Sequence, residues 1–252
     1  MNYKNRKLNL KYLYFQDIEL VIHMMKVNLR LLLGMLAFGS IWGLLECVLG
    51  SVRFGGTFAF LPMGAILGGF VGLGLMAYTR KMFNVMGMQL GMGIIAGLLR
   101  FWSPIGTCVI CSALAIVFEA VIFELIFNWK ALSIVKTTVK SQVSIPMLIP
   151  LGIISGYTIY VSGYMFTQIF TPIISAGSFV LSDFLNVLPL IFGKGFFAAI
   201  FGGLALPLAV SVNVPTTNVF EITKKPYYIT MTFISVICWF SVITLSLTGF
   251  FS

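Results

Sequence analysis

Long apolar runs alternate with short polar or basic segments along the whole chain. The runs cover roughly residues 31–52, 58–78, 84–99, 107–128, 143–165, 186–211 and 228–250. Most are long enough to cross a hydrocarbon core of about 30 Å as an α-helix. Backbone polar groups inside a bilayer must be paired within the segment, so runs of this kind predict an all-α, polytopic transmembrane helix bundle of about six to seven spans. Small residues recur at every fourth position in the early runs: Gly39, Gly43 and Cys47 in the first, Gly64, Gly68 and Gly72 in the second, Gly87 and Gly91 in the third. Such spacing places them on one face of each helix and lets a neighbouring helix approach closely. Prolines 146 and 150 interrupt the fifth run, and 189 and 207 the sixth. Between those runs, residues 166–183 carry Pro172, Gly177 and Asp183 and read either as an outer loop or as a partly embedded re-entrant piece.

Charge orients the bundle. Of sixteen Lys and Arg, thirteen fall in the N-terminal tail or in alternate loops, at Arg80-Lys81, Lys130 to Lys140 and Lys224-Lys225. Arg53 and Arg100 fall on the other side, and Lys194 lies inside a run. The asymmetry predicts a cytoplasmic N-terminus and, with seven spans, an outer C-terminus. Residues 1–30 form a basic cytoplasmic tail, and 31–252 the transmembrane domain. The tail shows no convincing cleavable signal. Part of it, from Tyr12 to Met25, is weakly amphipathic, and translation from Met24 or Met25 would remove it. A net charge of +9 would suggest nucleic acid in a soluble protein. With a mean hydropathy of +1.03, topology and contact with anionic membrane lipid account for it, and no nucleic-acid partner is expected. The chain reads as a multi-pass protein of the cell membrane.

Candidate chemistry is sparse. His23, in the tail, is the one histidine, which excludes His-box, H-E-x-x-H and Ser–His chemistry in the membrane. No Walker A motif is present. Cys108 and Cys111 form a C-x-x-C without the second pair that a zinc site needs, so they read as small packing residues. No metal or cofactor is expected. The informative residues are the ionisable ones inside the runs: Glu46, Glu119, Glu124 and Lys194. A carboxylate in hydrocarbon costs at least about 2–3 kcal/mol, so each needs a reason. Glu46 faces either a solute or ion cavity, or backbone and a neighbouring helix that satisfy it. With the orientation above, Glu46, Glu119 and Lys194 all lie in the outer half or middle of the bilayer and can meet in one outward-facing cavity. Lys194 reads equally as a snorkelling lysine. Trp42, one turn before Glu46, either stacks on a solute or packs between helices. Glu124, five residues and about 140° from Glu119, does not share its face and reads as structural.

Four stretches, GSIWGLLECVLG, LPMGAILGGFVGLGL, MGIIAGLLRFWSPIG and SALAIVFEAVIFELIF, together resemble the S components of energy-coupling factor transporters. The resemblance spans about residues 34–128 and is one of small residues, acids and breaks. It implies a substrate-binding and translocating subunit without catalysis of its own. The solute would be vitamin-like or a cation, and the partners a coupling membrane subunit and two cytoplasmic ATPases. By the same resemblance, Gly39, Gly43 and Cys47 would dock the coupling subunit, and the loop Arg53–Thr57 would gate the pocket. The bound solute would then meet Trp42, Glu46, Glu119 and Lys194. The alternative reading is a stand-alone, proton-coupled secondary transporter. A lipid-acting membrane enzyme using Glu119 as a base, or a structural scaffold, fits less of the pattern.

Overall fold

The computed structural model describes residues 29–50, 62–102, 109–128, 145–175, 179–212 and 225–248. Every regular element among them is helical. They are α1 (Leu29–Gly50), α2 (Met63–Phe83), α3 (Met88–Trp102), α4 (Val109–Asn128), α5 (Ile145–Ile174), α6 (Leu181–Ser211) and α7 (Lys225–Leu247). Six are long and apolar enough to cross a membrane; α3, at 15 residues, is the short one. The protein is therefore an all-α, polytopic membrane bundle. Most of the tail, residues 1–28, and the Arg53–Thr57 loop lie outside the described residues.

The small-residue faces decide who packs on whom. On α1, a Cβ at Gly39 would lie 2.7 Å from the Met92 carbonyl, and one at Gly43 2.8 Å from Leu99 Cβ. Cys47 Sγ donates to the Leu99 carbonyl at 3.8 Å. The three contacts climb α1 and α3 together, so these helices run parallel and α3 spans the same layer as α1. On its other side α3 meets α4 antiparallel, with Gly93 against Ala120 and Gly97 against Ala113. The α5–α6 pair is closer still: Gly152 and Gly202 bring the two backbones into contact, a Cβ at Gly202 lying 2.6 Å from the Gly152 carbonyl. On α2, Gly72 receives the Trp42 ring and Gly69 abuts the backbone of Ala198 on α6. The core filling these seams includes Trp42, Leu73, Met76, Phe123, Phe127 and Leu206. α7 lies at the edge. Trp239 Nε1 donates to Ser40 Oγ (3.1 Å), Tyr227 OH to the Arg30 carbonyl (3.1 Å) and Arg30 Nε to Tyr228 OH (2.9 Å). Ile229, Phe233, Val236 and Phe240 on its other face are exposed, as suits a lipid-facing helix.

Three local features depart from the sequence reading. The ambiguous segment 166–183 is helical over most of its described length: α5 continues to Ile174 and α6 begins at Leu181, with Ser175, Phe179 and Val180 outside both helices. Pro146 sits in the first turn of α5, where its missing N–H costs nothing, while Pro150 and Pro172 lie inside the helix, which continues through both at the expense of one backbone hydrogen bond each. Gly87 does not join a helical ridge; it forms the turn before α3 at φ 89°, a conformation that favours glycine. Within α2, Gly68–Gly72 adopts a π-helical turn, the Leu73 N–H reaching the Gly68 carbonyl five residues back.

The basic end is held by capping. Lys81 Nζ donates to the Val210 and Val212 carbonyls at 2.6 and 2.8 Å, closing the C-terminus of α6. Glu124 Oε1 accepts from the N–H groups of Gly87 (2.7 Å) and Gln89 (3.2 Å), so it caps the N-terminus of α3. The Gln89 amide, in the orientation that satisfies both its ends, adds a bond to Glu124 and accepts one from the Arg80 N–H, each 3.1 Å. Glu124→Ala is expected to destabilise the protein by about 2 kcal/mol, since hydrogen bonds to a charged acceptor are lost in a buried place. Glu124→Gln keeps an acceptor and loses less. Thermal unfolding in detergent checks the order wild type, Gln, Ala.

Candidate functional site

In the half of the bundle away from the basic end, α1 to α5 enclose a cavity of about 100 Å³. Glu46 and Gly50 of α1, Gly64 and Leu67 of α2, Arg100 of α3, Ser112, Ala115, Ile116 and Glu119 of α4, and Tyr164 of α5 line it. Three ionisable side chains from three helices thus share one small space. Glu46 (8% exposed), Arg100 (8%) and Glu119 (3%) are all buried, so water screens their charges weakly.

Each is held by a specific contact. Trp42 Nε1 donates to Glu46 Oε1 at 3.4 Å, one turn along α1. Arg100 Nε donates to Ser112 Oγ at 3.2 Å, and Ser112 donates to the Val109 carbonyl at 3.0 Å. Glu119 fits a slot between two glycines: a Cβ at Gly68 would lie 2.9 Å from its Oε1, and one at Gly163 3.0 Å from its Cγ. Gly68 opens the π-helical turn, which brings α2 to the carboxylate. Glu46 and Glu119 lie close enough to repel one another when both are ionised, and the Arg100 guanidinium lies within reach of Glu46. The cluster has two acids and one base, a site suited to a proton, a small cation or a hydrogen-bonding group, with room for a few waters. As bounded by the described residues, its volume lies below the range of about 300–1000 Å³ usual for drug-sized ligands.

Sequence-derived residues fall as follows. Glu46 and Glu119 line the cavity together. Trp42 is fully buried and touches the site through Glu46, with its ring on Gly72. Lys194 lines a second cavity, of about 320 Å³, beyond Tyr164. Gly39, Gly43 and Cys47 form a packing ridge, and the helix lying on it is α3 of the same chain. Arg100 is the residue that sequence reasoning missed, having placed it at the membrane surface. Cys111, next to Ser112, is disulfide-bonded, where only a packing role was expected; Cys108 lies outside the described residues, and neither Cys47 nor Cys238 is in a disulfide. Among the described residues, no three His, Cys, Asp or Glu side chains gather to hold a metal ion.

Fold and site together define a polytopic membrane protein with a buried, charged cavity in one half of its helix bundle. No family model, no curated protein and no solved structure matches the chain.

Proposed function

We propose that the protein is a membrane transport protein that takes up a small solute from the outer side, with Glu46, Arg100 and Glu119 as its charge-binding centre. One observation carries this reading: three helices each spend an ionisable side chain, at considerable desolvation cost, on the same small cavity within the membrane. A scaffold has no use for that arrangement.

Two energy sources fit. As a subunit resembling an energy-coupling factor S component, the chain would work with a coupling membrane subunit and two cytoplasmic ATPases. As a stand-alone carrier, it would use protons moving through Glu46 or Glu119. The ridge of Gly39, Gly43 and Cys47 is filled by α3, which leaves no free small-residue face there for a coupling subunit and favours the stand-alone carrier. Purification from native membranes in mild detergent, followed by mass spectrometry, separates the two. The expected result is the chain without ATPases; stoichiometric recovery of two P-loop ATPases would return the reading to the S component. In vesicles, Glu119→Gln is expected to lower gradient-driven uptake about tenfold or more, the equivalent of one lost charge-assisted contact. Uptake unchanged in both Glu119→Gln and Glu46→Gln would remove the cavity from the transport path.

A further inference from the structure

The second cavity, of about 320 Å³, lies between α2, α5 and α6 on the far side of Tyr164. Its size reaches the range of small-molecule sites. Tyr160, Tyr164, Gln168 and Lys194 supply its polar groups; Val187 and Ile191 are among the apolar ones. Gly64 and Tyr164 line both cavities and form the wall between them, a Cβ at Gly64 lying 3.1 Å from the Tyr164 hydroxyl. The Tyr160 and Tyr164 rings pack at a centroid distance of 4.5 Å and present a flat aromatic side.

Among the described residues, none answers the charge of Lys194. The chain has seven acids. Glu46 and Glu119 belong to the cavity beyond Tyr164, and Glu124 caps α3. Asp183 stands eleven residues earlier on α6, about 16 Å along the helix, and accepts from Ser182. Asp17, Glu19 and Glu221 belong to the segments leading into α1 and α7. No carboxylate lines this chamber, and Lys194 has no hydrogen bond or ion pair among the described residues. An ammonium beside aromatic and aliphatic walls, with phenol and amide donors around it, has the chemistry of an anion site for a molecule with a compact apolar body.

We propose that this chamber binds an anionic group, carboxylate or phosphate, carried on a small apolar body, with Lys194 as its counter-ion. The site is separate from the Glu46–Arg100–Glu119 cavity, and its test reads binding alone, so its failure and that of the transport reading are distinguishable. Such an anion comes either from solution or from a lipid headgroup.

The experiment uses the full chain in nanodiscs of phosphatidylcholine, with benzoate, its neutral isostere benzamide and the cation benzylammonium as probes. Benzoate is expected to raise the unfolding temperature and the other two to leave it unchanged. Lys194→Gln should unfold at the wild-type temperature without ligand and weaken benzoate about tenfold or more, while Lys194→Arg retains binding. Tyr160→Phe, in which a phenol is removed and the ring kept, should weaken benzoate by a smaller factor. A second arm replaces part of the lipid with phosphatidylglycerol. A shift that depends on Lys194 there, without one for benzoate, assigns the anion to a lipid headgroup and supports the site. Equal responses to benzoate and benzamide with no effect of phosphatidylglycerol, or responses that persist unchanged in Lys194→Gln, overturn the proposal.

Discussion

Gly202→Leu is expected to break the α5–α6 pair, while Gly193→Leu, nine residues away on the same helix, leaves the protein folded. At Gly202 a Cβ would lie 2.6 Å from the Gly152 carbonyl, 3.0 Å from Gly156 Cα and 3.0 Å from Leu73 Cδ2. Two of those three neighbours are backbone, which cannot rotate away as a side chain can. The helices must separate, and the loss spreads along the seam through Gly152, Gly156 and Ala198. Overpacking costs about 1–3 kcal/mol where side chains can adjust, so a backbone-to-backbone seam should lose about 3 kcal/mol or more. At Gly193 no atom lies within 4 Å of the added Cβ. Thermal unfolding and the monodisperse fraction on size exclusion, measured for both variants in one detergent, check the contrast. Equal losses would mean that leucine bulk in α6, rather than this contact, sets the outcome.

Arg100→Met should be nearly as damaging, and for an electrostatic reason. Removing the guanidinium leaves Glu46 and Glu119 facing one small cavity with no positive charge among its described lining residues. Breaking a buried charge arrangement by deleting one partner typically costs about 3–5 kcal/mol, because the surviving charge stays desolvated. The double variant Arg100→Met with Glu46→Gln removes the opposing charge as well and should recover most of that loss. A double-mutant cycle on unfolding free energies reads the coupling directly. Additive losses would show that Arg100 acts through Ser112 and packing, and not through Glu46.

The sequence made much of this legible, and the parts it hid share a cause. Apolar run length and loop charge are local properties, and they located the helices and the basic end. The acids were conspicuous because a carboxylate within an apolar run has few cheap explanations. Arg100 escaped notice because it ends an apolar run and precedes Phe101, Trp102 and Pro104, the ordinary composition of a membrane interface. Only the pairing of α3 with α4 turns it inward, toward Ser112. The ridge on α1 was visible as a ridge, but spacing cannot say whether the helix on it belongs to the same chain. Lys194 and the acids were expected to meet in one cavity, yet helix position alone does not resolve which side of Tyr164 a residue occupies. Prolines misled at α5 and α6 because both helices continue through internal prolines, their packing against neighbouring helices outweighing the lost backbone bonds.

The π-helical turn at Gly68–Gly72 has a consequence for how such a site can arise. A turn of this kind holds one residue more than the α-helical path requires, the footprint of a single inserted codon. The basic-end half of α2 keeps its rotational register against Trp42 and α6, while everything on the outer side of the insertion is turned by about 100°. Gly64 and Leu67 belong to that turned portion and line the charged cavity. One insertion can therefore re-aim half a helix at a binding site without disturbing the packing of the other half, and Gly68, Gly69 and Gly72 let Glu119, the Ala198 backbone and the Trp42 ring approach the turn closely.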